Sequence, residues 1–160
     1  YALMKLYQEA PQKPEIWIQA SATGYYGDLG NNEVDETGDL GNRFLSTVCK
    51  QWEQSLEPIQ SNYSEHTKIV IARIGLVFST DAPAWQRLYL PIKWGLGGRL
   101  GSGNQWWSWI HIDDLVNIFY HFTQHDSSGV YNITTPHPVQ QQHLIEHIAG
   151  FIKRPPFSQG

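Results

Sequence analysis

The sequence predicts an α/β layer fold organised around a parallel sheet. Three observations carry that expectation. Short apolar, β-rich runs alternate along the chain with stretches of helical period. The run "KIVIARIGLVF" (68–78) is nearly continuous in apolar, β-branched residues, as in a strand covered on both faces. Amphipathic helical patterns follow such runs, the order that joins parallel strands by crossovers.

The elements follow in order. Residues 2 to 9 read as the tail of a helix, stopped by the loop "APQKPE", because Pro11 and Pro14 cannot continue one. "IWIQAS" (16–21) suits a buried strand. A polar loop rich in Gly, Asn and Asp comes next. From Asn42 to about Glu57 the period is helical, with Phe44, Leu45, Val48, Cys49, Trp52 and Leu56 on one predicted inward face. "KIVIARIGLVF" is the next strand. Ala84 to Trp94 reads as a helix interrupted near Pro91, followed by the loop "GLGGRLGSGN". "SWIHI" is a short strand, and Asp113 is the expected cap of a helix to about Gln124, with Leu115, Val116, Phe119 and Phe122 inward. "GVYNI" (129–133) is a strand, and Val139 to Ile152 a last amphipathic helix.

Composition excludes several classes. Of 160 residues, 41% are hydrophobic and 16% charged, so a packed core is affordable and disorder is not expected. A net charge of −4, without a basic run, argues against neutralising nucleic-acid phosphates. No apolar stretch reaches the roughly 18 residues of a membrane span. A single Cys excludes an internal disulfide, which suits a cytoplasmic protein. The chain opens on "YALMKLY" rather than on Met, and is read as a fragment.

Four groups of residues invite chemistry. The glycines 95, 97, 98, 101 and 103 follow a predicted helix and lead into a strand. A phosphate loop needs the reverse context, so this is a loop requiring positive φ. "HLIEH" (143–147) has the spacing of a zinc hydrolase, but too little chain follows to supply a third ligand, and no metal site is expected. Cys49 lies on an apolar face and reads as an inert thiol. "ASATGYYGD" (20–28) places Ser21, Tyr25 and Tyr26 where a parallel strand ends, the position at which a carbonyl or alcohol would be polarised. A turn whose tyrosines merely pack and hydrogen-bond locally remains equally open.

Four ordered motifs, "SATGYYG" (21–27), "FLSTVCKQWE" (44–53), "RIGLV" (73–77) and "GSGNQWWSWIHIDDL" (101–115), carry a resemblance. With "YNIT" (131–134), they resemble an atypical epimerase-like subgroup of the extended short-chain dehydrogenase/reductases, related to nucleoside-diphosphate-sugar epimerases, and specifically its carboxyl-terminal portion. The resemblance implies the latter half of a Rossmann-type parallel sheet with a small substrate-binding lobe. Residues 1–80 would be the latter part of the NAD(P)-binding domain, 81–112 a lobe segment, and 113–160 the return to the sheet and a terminal helix. It implies NADP or NAD as cofactor of the parent protein, bound poorly by this chain alone because the family's glycine-rich motif would lie upstream.

The resemblance also marks departures. The family's catalytic Tyr-x-x-x-Lys would fall on Leu45 and Cys49, with Glu53 keeping the following acidic position. Ser21 matches the catalytic Ser or Thr, and Tyr25 or Tyr26 is the candidate for the missing Tyr. Ser21, Gly75, Leu76 and Val77 would meet the cofactor, and Leu76 stands where the family has Asn. Trp107 stands where relatives hold a substrate diphosphate with Arg, which disfavours a nucleotide-sugar. Strand alternation puts Trp107, Trp109 and His111 on one face, as a substrate wall or as simple lobe packing, and sends Ile110 and Ile112 to the core.

The expected function is the substrate-side portion of an NAD(P)-dependent oxidoreductase or epimerase-like protein acting on a carbonyl or alcohol. The alternative is a non-catalytic NAD(P)-binding regulator on the same scaffold. Expected partners are a small-molecule substrate and, through the edge strand Ile16 to Ser21, a second copy of the chain; neither nucleic acid nor membrane is expected.

Overall fold

A computed structural model describes residues 2–63 and 65–153. Helix α1 (Ala2–Glu9) leads to strand β1 (Ile16–Ala22) and a 3-10 turn at Thr23–Tyr26. Helices α2 (Phe44–Gln54) and α3 (Glu57–Tyr63) precede β2 (Lys68–Ile74) and β3 (Leu76–Phe78). Then come α4 (Pro83–Lys93), β4 (Trp106–Trp107), β5 (Trp109–His111), α5 (Ile112–Gln124), β6 (Gly129–Ile133), β7 (Val139–Gln140) and α6 (Gln141–Phe151). The chain divides into two compact units, one of Tyr1–Ile74 with Val116–Ile133, the other of Gly75–Leu115 with Thr134–Gly160.

The first unit holds a parallel sheet in the order β1-β2-β6. Its register sets Gln19, Ile71 and Val130 abreast, then Ser21, Arg73 and Asn132 two residues further on. Because side chains alternate across a strand, both rows share one face. That face packs on Tyr7, Leu56 and Ile59 through Trp17, Ile69, Ile71 and Val130. Val70 and Ala72 on the other face are also fully buried, so β2 is covered on both sides as its composition predicts.

In the second unit β3 pairs in parallel with β5, and β4 antiparallel with β7. Its core gathers Ile92 of α4 with Ile145, Ile148 and Ala149 of α6, flanked by Trp85, Leu88 and Tyr89.

Several expectations are corrected. The fold is not the latter half of a Rossmann-type sheet with an appended lobe. Seven strands in three sheets run from Ile16 to Gln140, and the strand–helix alternation extends through the described chain. The run 68–78 is two strands, because the chain changes sheets at Gly75. A Cβ there would lie 2.7 Å from the Ser108 carbonyl oxygen, so only glycine allows that approach.

The period of α2 is right, but its phase is rotated. Ser46 and Cys49 are buried, while Phe44 is 80% exposed, with Leu45 and Trp52 also exposed. Ser46 faces inward because its hydroxyl donates to the Gly24 carbonyl (2.9 Å). Helix α4 continues through Pro91. Asp113 lies inside the first turn of α5, with Asp114, where their charges suit the helix dipole. Val116 is exposed, and Val139 belongs to β7 rather than to the last helix.

Candidate active site

Three apolar strands each carry one polar residue in the penultimate position: Ser21, Arg73 and Asn132. The register brings them side by side at the carboxyl ends of the parallel sheet, where ligands bind in such folds. Helix α2 adds Glu53. Its Oε1 accepts from the Ser21 hydroxyl (2.7 Å) and from Arg73 Nε (3.0 Å), and its Oε2 accepts from Arg73 Nη2 (2.9 Å). The Arg73–Glu53 pair is therefore a two-pronged, nearly buried salt bridge, with side chains 5% and 10% exposed. Burial works against the guanidinium charge, but the hydrogen bonds and the field of Glu53 and Tyr26 outweigh it, and the Arg73 pKa is raised.

The two tyrosines of the 3-10 turn have different surroundings. Tyr26 is buried, accepts from Arg73 Nη1 (2.9 Å) and donates to Asn132 Oδ1 (2.7 Å). Both capacities of its hydroxyl are used. Tyr25 is half-buried, with its ring 3.5 Å from the Arg73 guanidinium carbon. Among the described residues its hydroxyl makes no hydrogen bond. The polar loop closes over this network through Glu36, whose carbonyl accepts from Arg73 (3.3 Å) and whose Oε1 accepts from the Asn132 N–H (2.7 Å).

Ser21, Tyr25 and Tyr26 are thus brought together. Gly75, Leu76, Val77, Trp107, Trp109 and His111 all lie in the other unit. The Leu76 N–H donates to the Ser108 carbonyl (2.8 Å), and the side chains of Leu76 and Val77 are half-buried. Trp107 lines a cleft of about 250 Å³ with residues of α4 and α6. Trp109 stacks on Phe78 at 5.5 Å, and its indole N–H donates to the His137 carbonyl (3.1 Å). His111 is exposed, with Nδ1 accepting from the Asp113 N–H (3.3 Å). Ile110 is buried and Ile112 half-buried.

The residues that bind the network together, Arg73, Asn132 and Glu36, were not sequence candidates. A signal for two of them existed: an isolated polar residue one place before the end of an apolar strand. Glu36 carried none, because a loop acid has no period to betray it.

The family model for the NAD dependent epimerase/dehydratase family matches residues 3–134. The chain belongs to that family. The family's epimerase-like, NAD(P)-binding, Rossmann-type character comes with membership. An epimerase family protein of Staphylococcus saprophyticus is 41% identical over 148 residues, 91% of this chain and 46% of that protein. A chloroplastic epimerase family homologue of Arabidopsis thaliana is 35% identical, over 91% of this chain and 41% of its own length. A crystal structure of a human epimerase family protein with NADPH is matched at a TM-score of 0.87 and 30% identity, covering 97% of this chain and 52% of that one. A nucleoside-diphosphate sugar epimerase from Corynebacterium glutamicum is matched at 0.81 and 30%, covering 94% and 33%.

The chain spans about half the length of the curated relatives it matches. The assignment to a carboxyl-terminal portion alone is nevertheless corrected. The family match begins at residue 3 and the likeness to the human structure covers 97% of this chain, so the family's fold is met across the chain as a whole. Among the described residues no helix is long and apolar enough to cross a membrane.

Proposed function

We propose that this protein is an NAD(P)-dependent oxidoreductase of the epimerase-like type, acting on a small carbonyl or alcohol substrate. The observation that carries the reading is the polar row Ser21–Arg73–Asn132 at the carboxyl ends of three parallel strands, with the Tyr25 ring stacked on Arg73 and its hydroxyl without a hydrogen-bond partner among the described residues. The NADPH in the human relative's crystal structure favours NADP(H) as the cofactor.

The residues of the first unit fit the reacting end of a dinucleotide: a hydroxyl, a guanidinium and an amide gathered at the sheet's carboxyl ends. Gly75, Leu76 and Val77 belong to the second unit and stay separate cofactor-contact candidates, Leu76 and Val77 with half-buried apolar side chains. A nicotinamide cofactor, when bound, supplies hydride exchange.

The chain's own groups then divide the remaining work. Tyr25 gives a proton to the substrate oxygen, or takes one from it. Arg73 is a positioning residue: stacked on the Tyr25 ring and clamped by Glu53, it fixes the plane of that phenol. Ser21 spends its proton on Glu53, so it presents lone pairs and accepts from a substrate hydroxyl. To polarise a carbonyl it must first leave Glu53. Tyr26 holds Asn132 and Arg73 in place. Within the second unit, Trp107 in its cleft is the proposed substrate contact, with Trp109 and His111 as further candidates.

One observation favours the second reading, a non-catalytic NADP(H)-binding regulator: the hydroxyls of Ser21 and Tyr26 are both engaged internally, and Leu45 and Cys49 supply no phenol or ammonium. Calorimetric titration with NADPH and a carbonyl turnover panel separate the two. Binding with turnover that is lost in Tyr25→Phe supports the enzyme; tight binding with no turnover supports the regulator; no binding of NADPH, or of NADH titrated in the same way, overturns both.

A further inference from the structure

We infer that the cleft of the second unit takes a small apolar carboxylate, gripped between the Gln141 side-chain amide and the Arg87 guanidinium. The cleft is about 250 Å³ and its walls are apolar: Leu88, Pro91, Ile92, Leu96, Trp107 and Ile145. Gln141 and Arg87 line the same space.

Gln141 is fully buried. Its Oε1 accepts from the Leu100 N–H (3.2 Å), which fixes the amide's orientation, since turning it over would oppose two donors. The Nε2 end is then left with no hydrogen-bond partner among the described residues. A buried donor without a partner is costly, and such exceptions call for an acceptor that is not part of the chain. The helix amides beside it do not compete for that acceptor. The Gln141 N–H donates to the Gln105 carbonyl (3.0 Å) and the Gln142 N–H to that of Gly103 (2.9 Å).

Arg87 makes no ion pair or hydrogen bond among the described residues. One neutral donor and one cation, set in an apolar cleft, match the two oxygens of a carboxylate on a hydrophobic body. A neutral ketone would answer Gln141 and leave Arg87 alone. A diphosphate would bring more charge than one Arg can balance between such walls. The inference goes beyond the proposed function: it assigns a ligand site within the second unit alone.

The test uses the protein labelled with nitrogen-15 and titrated with 4-phenylbutyrate, with its methyl ester as control. The acid is expected to shift the Gln141 side-chain amide and Trp107 indole signals saturably, and the ester to bind roughly tenfold more weakly or worse. Arg87→Gln, at an exposed position, leaves the fold intact and is expected to weaken the acid about as much as esterification does. Gln141→Leu is expected to abolish the indole shift while the rest of the spectrum stays native.

No saturable shift, equal binding of acid and ester, or wild-type affinity in Arg87→Gln overturns the inference. Phenylbutyrate binding in a protein that ignores NADPH would retain the site and refute the cofactor reading. NADPH binding without phenylbutyrate binding would do the reverse.

Discussion

Ser21 and Arg73 are partners across β1 and β2, and both donate to the same oxygen of Glu53. A strand residue named as a catalytic candidate is therefore tied to a buried ion pair that the resemblance did not single out. Stability and the proposed chemistry share one set of atoms at the end of this sheet.

Glu53→Gln is the sharpest test of that coupling. It removes the charge facing a nearly buried Arg73 and sets an amide NH2 where one guanidinium donor had a carboxylate oxygen. Loss of one member of a buried pair typically costs about 3–5 kcal/mol. Urea denaturation should show a drop of that size. A loss near that of an exposed ion pair, on the order of 0.5 kcal/mol, would mean that water reaches the pair.

The two adjacent tyrosines should separate stability from activity. Tyr26→Phe leaves Arg73 Nη1 and Asn132 Oδ1 each short of a partner, and should cost about 1–3 kcal/mol. Tyr25→Phe removes a hydroxyl that makes no bond among the described residues, so the unfolding midpoint should stay put while turnover falls. If Tyr26→Phe alone abolishes turnover in a protein of native stability, the assignment of roles is reversed.

Gly75 offers a purely steric prediction. A Cβ would stand 2.7 Å from the Ser108 oxygen and 3.0 Å from the Thr134 methyl, and the oxygen belongs to backbone that also accepts the Leu76 N–H. Gly75→Ala should therefore destabilise by about 1–3 kcal/mol. Thermal unfolding checks it, and a midpoint unchanged from wild type would show that the β3 junction yields freely.

Much of the fold was legible, and the misreadings share a cause. Short apolar, β-rich runs located β1 and β6, and the 3.6-residue repeat located α2 and α6. It misplaced the buried side of α2, because hydrophobicity alone ranks Phe44 and Trp52 above Ser46. The structure buries Ser46 instead, for a hydrogen bond to Gly24. The break at Gly75 was hidden for a similar reason: both sides of it are apolar and β-branched, and only the approach of Ser108 demands glycine. At the site, Ser21 and the tyrosines stood out as hydroxyls after a strand. Their partner Arg73 lay inside an apolar run, where its role depends on a helix twenty residues away.

Acid should reach the loop over the network through Asp35. Its Oδ1 accepts from the Thr37 hydroxyl (2.6 Å) and the Thr37 N–H (2.9 Å), and these bonds hold its carboxyl below the usual carboxylate range. A lowered pKa stabilises the folded loop above the unfolded-state value of about 3.9, and that contribution is lost as pH falls through the folded value. Glu36 is next in the chain, so acid should loosen its bonds to Arg73 and Asn132 with the turn. A carbon-13 titration of the Asp35 carboxyl should give a midpoint below the usual range, and Thr37→Val should move it upward. An unmoved midpoint would remove Thr37 as the cause.

The edge of the first sheet bears on assembly. Among the described strands β1 pairs with β2 alone, and its residues Ile16, Trp17 and Ile18 are only half-buried. An apolar strand with one unpaired side is a template for another chain. Ile18→Lys places a charge on that strand without touching the Ser21 row, which lies on its other face. Light scattering of the wild type at increasing concentration should show self-association, and the variant should remain smaller. A wild-type protein that stays monomeric throughout would show that this edge is already protected. Association that survives Ile18→Lys unchanged would move the contact elsewhere, with the exposed Phe44 and Leu45 of α2 as the next surface to alter.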